Sequence, residues 1–148
     1  ETAAALADGW FHTGDGAVIG DDNYVTITDR KKDVIISGGE NVSSIEVEDC
    51  LFSHPAVAEV AVIGVPDERW GETIKALVVL GGAGDPGEQG ADTPGEQDLI
   101  HHCRDRLAHF KCPTSVEFRD ELARTATGKL QKFKLRAPYW EGMQKQVN

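Results

Sequence analysis

The sequence predicts an α+β domain in which helices pack on a small mixed β-sheet, preceded by a β-hairpin. Short apolar runs rich in β-branched residues alternate with segments of helical periodicity, and turn-forming residues separate them. This order of elements is typical of an α+β layout. A chain of 148 residues provides for one domain with a modest core, or for one domain and a piece of another.

The N-terminal part predicts a hairpin within residues 10–28. Two apolar runs, residues 17–19 and 24–27, flank Asp21-Asp22-Asn23, whose side chains favour a turn. A further strand over residues 34–36 is interrupted by Gly38-Gly39. Two interpretations of these glycines stay open: a bulge or tight turn, or a place where a ligand approaches the backbone closely.

Two longer helices follow from apolar periodicity. Ser43 and Glu46 have capping-box spacing, and a buried helical face runs on from them until Pro55 ends the helix. The second helix spans residues 99–110, where apolar side chains recur on one face. The residues of that face are Leu99, Cys103, Leu107 and Phe110.

The remaining elements complete the predicted sheet. Residues 57–65 and 75–80 predict an antiparallel pair with a turn at Pro66-Asp67, and residues 115–118 predict a short strand. Residues 131–137 predict one or two helical turns ended by Pro138. Residues 81–97 are rich in glycine, proline and acidic residues, so they predict a flexible surface loop, with a recognition loop as the alternative.

Composition narrows the function classes. The net charge of −10 makes nucleic acid an unfavourable partner, because phosphates need a basic counterpart. No apolar run reaches the ~20 residues of a transmembrane helix. The chain begins abruptly without methionine or signal peptide, which we interpret as a piece of a longer protein. Three cysteines without a Cys-x-x-Cys pair suit reduced thiols in a cytoplasmic protein, and the histidine spacing predicts no metal site.

Two loop residues carry a chemical signal that is weak when each is considered alone. Lys129 follows Gly128 in a loop, where an exposed ammonium could bind a phosphate or carboxylate or be an ordinary solvated lysine. Asp15 could accept hydrogen bonds from the two hydroxyls of a ribose, or it could simply form a turn.

Together, four ordered motifs resemble the C-terminal motifs of the adenylate-forming superfamily of acyl-CoA synthetases, luciferases and peptide-synthetase adenylation domains. The motifs are residues 9–15, 29–41, 66–72 and 124–132, and the resemblance extends to about residue 137. It is greatest to fatty-acyl-CoA ligases. The resemblance implies that residues 1–28 are the tail of a large N-terminal adenylation domain and that residues 29–33 are the hinge. Residues 34–137 would form the C-terminal mobile domain, and residues 138–148 would be the C-terminal tail.

The resemblance also implies roles in a first half-reaction. Asp15 would hold the ribose hydroxyls of ATP or acyl adenylate, and Arg30 would assist at the same nucleotide. Lys32 would be the pivot of the hinge. Lys129 would enter the site and bridge the substrate carboxylate and the α-phosphate.

For the second half-reaction, the resemblance implies a different face of the domain that binds coenzyme A. Gly38 and Gly39 would line the pantetheine tunnel together with Glu40. Trp70 and Phe110 would lie against the nucleotide end, with core packing as the alternative for both. Lys111 would replace a phosphate-binding arginine, because Cys112 stands at the position where some relatives carry it.

The implied enzyme is an acyl-CoA ligase that activates a carboxylic acid, favoured to be a fatty acid, with ATP and transfers it to coenzyme A. Its partners would be its own N-terminal adenylation domain, which would hold the magnesium of ATP, and these small molecules. Two alternatives stay open: an adenylation domain that loads a carrier protein, and a non-catalytic stand-alone binding module. The chain lacks the ATP loop and the acyl pocket, so by itself we expect it to be inactive.

Overall fold

The computed structural model of the protein describes residues 2–81 and 93–143, and its centre is a mixed β-sheet. The strands are β1 (Asp15–Ile19), β2 (Val25–Arg30), β3 (Ile35–Ser37), β4 (Glu40–Val42), β5 (Val57–Asp67), β6 (Gly71–Leu80) and β7 (Ser115–Phe118). The α-helices are α1 (Thr2–Ala5), α2 (Ser44–Phe52), α3 (Glu96–Arg104) and α4 (Lys132–Arg136). Short 3-10 helices span Ala7–Gly9, His109–Lys111 and Ala137–Trp140.

Strand β6 organises the sheet. It pairs antiparallel with β5 from Val57↔Leu80 to Asp67↔Gly71, and on its other edge it runs parallel to β7. On that same edge β3 joins through the pair Ser37↔Gly71. The helix α3 belongs to the crossover that a parallel β6–β7 connection requires. The predicted mixed sheet with flanking helices is therefore confirmed.

The central strands are buried on both faces. Alternate residues of β5 and β6 point into two separate apolar clusters, so each strand has a nearly continuous apolar sequence. Helices α2 and α3 cover the larger cluster, and α4 covers the smaller one. The second cluster consists of Ala61, Ile63, Val65, Leu77, Leu122 and Leu135.

The start of α2 follows the predicted N-terminal signal. The Ser43 hydroxyl accepts a hydrogen bond from the Glu46 amide at 3.4 Å, and the helix ends at Phe52, before Pro55. The Glu46 carboxylate, however, accepts from Lys111 at 2.7 Å. A glutamate at this spacing thus links α2 to the 3-10 helix of His109–Lys111 instead of closing the capping box.

The predicted second helix over residues 99–110 was wrong at both ends. Helix α3 begins at Glu96, inside the predicted loop, and the side chain of Asp98 accepts from the Gly95 amide. It ends at Arg104 with Asp105 as its C-cap, and at Ala108 the backbone angle ψ is 142°, outside the helical range. Phe110 therefore leaves the buried face. The part of the predicted 81–97 loop at residues 82–92 lies outside the described residues.

Two further boundaries differ from the prediction. Pro66 and Asp67 belong to the end of β5, and the turn follows, with the Asp67 carboxylate accepting from the amides of Arg69 and Trp70. Pro138 does not end the C-terminal helical segment. It lies near the start of a new 3-10 helix, where a missing amide hydrogen costs nothing.

The predicted N-terminal hairpin is present as a separate two-stranded sheet of β1 and β2. Its apolar side chains are solvent-exposed: Val18, Ile19, Tyr24, Val25 and Ile27. Within the described residues, no helix combines the length and the apolar character needed to cross a membrane.

Candidate functional site

The hairpin register joins the two side chains that were predicted to bind a nucleotide. Asp15 at the start of β1 pairs with Arg30 at the end of β2, and the Asp15 carboxylate lies 3.5 Å from the Arg30 guanidinium. The Lys31 amide donates to the Gly14 carbonyl at 2.8 Å, which closes this end of the hairpin. An acidic and a basic group thus lie side by side at one end of the β1–β2 hairpin.

Lys129 ends a tight turn that displays it to solvent. The Thr125 amide donates to the Lys129 carbonyl at 2.8 Å, and the Gly128 amide donates to the Thr125 carbonyl at 2.9 Å. Gly128 has a φ of +86°, which disfavours any side chain there. Among residues 2–81 and 93–143, the Lys129 ammonium makes no hydrogen bond or ion pair, so its charge is available to a ligand.

A cleft of about 380 Å³, here called the lysine cleft, brings three predicted site residues together. Arg30 and Lys32 line it from the predicted hinge, and Lys129 lines it from the turn. The other lining residues are Asp33, Thr125, Leu130, Gln131, Lys132, Phe133 and Arg136. The cleft carries more positive than negative side chains, so it suits an anionic group such as a phosphate or carboxylate.

Gly38 and Gly39 form the two-residue turn of the β3–β4 hairpin. Their φ angles are +60° and +87°, as both central positions of a type I′ turn require. A Cβ on Gly38 would lie 2.8 Å from Cε3 of Trp70, whereas a Cβ on Gly39 would meet open space. The tight-turn interpretation is therefore confirmed, and Gly38 is also needed for close packing of an indole ring.

Trp70 lies beside a second depression, the tryptophan groove, of about 800 Å³. Gly39 lines the same groove, together with Ile36, Pro66, Asp67, Glu68, Gly71, Glu72, Trp140 and Met143. Trp70 is 47% exposed, so core packing was the wrong alternative for it. The Arg69 guanidinium lies 4.6 Å from the centre of the Trp70 ring, in a cation–π contact.

Phe110 and Lys111 lie on the 3-10 helix and are not among the residues lining the tryptophan groove. Phe110 is also 47% exposed, so core packing is wrong for it as well. The Lys111 ammonium is held by the Glu46 carboxylate at 2.7 Å, so a phosphate would compete with this ion pair. Cys112 is buried, and burial raises the pKa of its thiol, so it offers no contact to a ligand.

A largely buried polar network beside the predicted hinge was not expected from the sequence. Asp29 accepts from Ser43 and Ser44 at the start of α2, and Ser44 accepts from Lys132. Lys132 also pairs with Glu48 at 2.7 Å. Burial raises the pKa of the Glu48 carboxyl, and the Lys132 charge opposes that rise. A charged run at residues 29–33 is expected to be solvated, so nothing in the sequence marked Asp29 as buried.

The sequence also matches a known protein family. Residues 46–129, more than half of the chain, match the model of the AMP-binding enzyme C-terminal domain. The chain belongs to this family. The superfamily predicted from the four motifs is thereby confirmed, with an AMP-binding C-terminal domain that contains the turn of Lys129 and the β5–β6 pair.

The relatives of this AMP-binding C-terminal domain are much longer proteins. A probable CoA ligase of Humulus lupulus is 56% identical over 131 residues, which cover 88% of the chain and 22% of the relative. The ATP-bound structure of MatB from Rhodopseudomonas palustris matches with a TM-score of 0.79 at 40% identity. The apo structure of that protein matches with 0.69 at 41% identity, and both comparisons cover 90% of the chain and 25% of MatB. The chain thus spans about a quarter of the proteins it matches.

Proposed function

We propose that this chain is the C-terminal mobile domain of an ATP-dependent acyl-CoA ligase that activates a carboxylic acid as its acyl adenylate. The acyl group is then transferred to coenzyme A. The observation that carries the proposal is the lysine cleft, in which Lys129 faces the same space as Arg30 and Lys32. CoA ligases among the relatives support the same reaction class.

In the first half-reaction, Lys129 neutralises charge where two anions must meet. A carboxylate oxygen of the acid attacks the α-phosphorus of ATP, and pyrophosphate leaves with the bonding electrons. The exposed Lys129 ammonium lies between the carboxylate and the α-phosphate. A preorganised donor of this kind contributes ~3 kcal/mol, about 10² to 10³ in rate.

Asp15 and Arg30 hold the nucleotide in this proposal. The Asp15 carboxylate accepts from the two ribose hydroxyls, and the neighbouring Arg30 guanidinium keeps that carboxylate oriented from 3.5 Å. The magnesium of ATP belongs to the adenylation domain outside this chain.

In the second half-reaction, rotation about Lys32 presents the other face of the domain. The coenzyme thiol attacks the acyl carbonyl, AMP leaves, and the thiol proton is released to solvent. The turn of Gly38 and Gly39 lines the pantetheine path, with Glu40 beside it. Trp70, Phe110 and Lys111 contact the nucleotide end.

The finer assignments rest on the same resemblance. A fatty acid is the proposed substrate, and the cytoplasm is the proposed location. The proposed boundaries place residues 1–28 in the large domain, 29–33 in the hinge, 34–137 in the mobile domain and 138–148 in the tail. The exposed apolar side chains of β1 and β2 support this division, because an apolar surface of this kind suits contact with a larger domain.

The decisive test replaces Lys129 with alanine in the full-length protein and follows each half-reaction. We expect acid-dependent pyrophosphate exchange to fall about 10² to 10³-fold, because the bridging charge is lost. Transfer from a supplied acyl adenylate to coenzyme A should stay near the wild-type rate. Lys134→Ala is the matched control, since Lys134 is exposed on α4 but does not line the lysine cleft.

Equal pyrophosphate exchange in Lys129→Ala and wild type would contradict the proposed role of Lys129. A wild-type protein that exchanges no pyrophosphate with any carboxylic acid would contradict the ligase assignment itself. Efficient transfer to a carrier protein but not to coenzyme A would favour the carrier-loading alternative.

A further inference from the structure

We propose that Lys132 is a positioning residue that couples the hinge to the turn carrying Lys129. The inference rests on the proposed role of Lys129 in adenylation. It starts from a continuous series of hydrogen bonds that are buried or partly buried. The series runs from Asp29 through Ser44 to Lys132.

The hinge end of the series is the Asp29 carboxylate, which is only 3% exposed. One of its oxygens accepts from the Ser44 amide at 2.7 Å, the Ser44 hydroxyl at 2.9 Å and the Ser43 hydroxyl at 3.2 Å. The other accepts from the Arg30 amide at 2.7 Å. The N-terminus of α2 favours a negative charge here, so these hydrogen bonds stabilise the carboxylate, which forms no ion pair within residues 2–81 and 93–143.

Lys132 occupies the other end of the series. Its ammonium donates to the Ser44 hydroxyl at 2.7 Å and to the Glu48 carboxylate at 2.7 Å. The side chains of Lys132 and Glu48 are 12% and 16% exposed, so solvent screens this pair only weakly. Glu48 also accepts from the Val62 amide at 2.8 Å, which ties the network to strand β5.

Lys132 is three residues from Lys129, at the start of α4. The segment from Arg124 to Lys132, which contains the turn of Lys129, is therefore anchored at both ends. On the first side, Arg124 donates to the Glu59 carboxylate at 2.8 Å and to the Gly128 carbonyl at 2.7 Å. On the second side, Lys132 is the anchor. Its hydrogen bond to Ser44 connects the turn to Asp29 in the hinge.

The network connects residues that lie on both sides of the proposed pivot, Lys32, in the chain. Asp29 precedes Lys32 in the chain, whereas Ser44 and Lys132 follow it, so rotation about Lys32 separates Asp29 from its serine donors. The series of hydrogen bonds is intact in this structure, in which Lys129 and Arg30 line the same cleft. Lys132 thus holds the turn of Lys129 in place in this orientation, and rotation releases one of its constraints.

The experiment compares full-length wild type with Ser44→Ala, Lys132→Met, Lys132→Arg and the control Lys134→Met. Ser44→Ala removes the connecting hydroxyl but keeps the Lys132–Glu48 pair, so it tests the coupling even if Lys132→Met fails to fold. Three quantities are measured: pyrophosphate exchange, acyl transfer from supplied adenylate, and deuterium uptake at residues 125–129. Trypsin cleavage after residues 30–32 reports the hinge.

We expect Ser44→Ala to lower pyrophosphate exchange about 10-fold and Lys132→Met about 100-fold, because a small misplacement of a catalytic group is costly. Acyl transfer should change less than 3-fold in both, and Lys132→Arg should recover most of the exchange rate. Deuterium uptake at the turn and cleavage at the hinge should rise together in Ser44→Ala. Lys134→Met should match wild type in every assay.

Equal loss of both half-reactions, or unchanged deuterium uptake and cleavage in Ser44→Ala, would overturn the coupling and leave Lys132 as a stabilising residue only. If wild type shows no pyrophosphate exchange, the ligase proposal fails. The deuterium and trypsin measurements then still decide whether the hinge and the turn are coupled, since neither requires catalysis.

Discussion

For single residues, glycines with positive φ set the backbone of two short motifs and leave a neighbouring side chain exposed. Gly38 and Gly39 both adopt positive φ, but only Gly38 packs against the ring of Trp70. Lys129 follows a glycine of positive φ and is thereby displayed at the end of a closed turn. In both places a glycine shapes the backbone, and a neighbouring side chain is presented to solvent.

The two turn glycines should differ in their sensitivity to a methyl group. Gly38→Ala is expected to lower the free energy of unfolding by about 3 kcal/mol, because positive φ and a clash with the Trp70 ring act together. Gly39→Ala is expected to cost about 1 kcal/mol, since only the backbone is strained. Urea denaturation measures both, and equal losses would contradict the close packing of Gly38 on Trp70.

At the scale of elements, the C-terminal 3-10 helix is bound to the sheet by a polar cluster. The Tyr139 hydroxyl donates to the Glu117 carboxylate at 2.5 Å and accepts from Arg119 at 3.1 Å. The Trp140 indole donates to the Gly64 carbonyl on β5 at 2.9 Å. These contacts place Trp140 in the wall of the tryptophan groove, so a segment predicted as a tail completes that groove.

Removing the Tyr139 hydroxyl should reveal this attachment through its pH dependence. The hydrogen bond from Tyr139 holds the pKa of the Glu117 carboxyl below its ordinary value, with Arg119 and Lys75 acting in the same direction. A lowered folded pKa stabilises the protein above the unfolded pKa, and this contribution is lost as the pH falls through the folded value. Tyr139→Phe is expected to cost about 1 kcal/mol at pH 7 and less at about pH 3.

Urea denaturation at both pH values measures this difference, and Tyr24→Phe on the exposed hairpin is the matched control. The solvent exposure of Glu117 keeps the expected effect small. A loss in Tyr139→Phe that is equal at both pH values would assign the effect to packing of the ring and not to the Glu117 hydrogen bond.

At the scale of the whole molecule, the chain joins two surfaces of different character. The lysine cleft is basic, although the whole chain has a net charge of −10. The tryptophan groove is lined by aromatic and acidic side chains. The exposed apolar hairpin lies next to the proposed hinge and, in our proposal, meets the large adenylation domain. The hydrogen bonds from Asp29 through Ser44 to Lys132 connect this hairpin to α2 and to the turn of Lys129.

The isolated chain should therefore lack ligase activity. The 148-residue polypeptide is expected to form no acyl-CoA from ATP, a fatty acid and coenzyme A, because the proposed ATP loop and acyl pocket lie in the large domain. Product analysis by mass spectrometry measures this, with the full-length protein as the positive control. Turnover by the isolated chain would contradict the proposed division of the site between two domains.

Elements with local sequence signals could be predicted without the structure. The hairpin, the start of α2 and the β5–β6 pair follow from turn chemistry, capping and β-branched runs, and the four ordered motifs identified the superfamily. Local signals were weaker for the predicted 99–110 helix, since apolar spacing continued through Phe110 after the backbone had already left the helix at Arg104.

The burial of charged groups and the contacts between distant site residues became known from the packing of the elements. Asp29 lies in a charged run that resembles a solvated segment, yet it is buried because α2 packs its N-terminus against the end of β2. Lys132 and Ser44 are 88 residues apart in the chain, so no local pattern predicts their hydrogen bond. Such contacts depend on how the elements pack together, and packing joins residues that sequence spacing treats as unrelated.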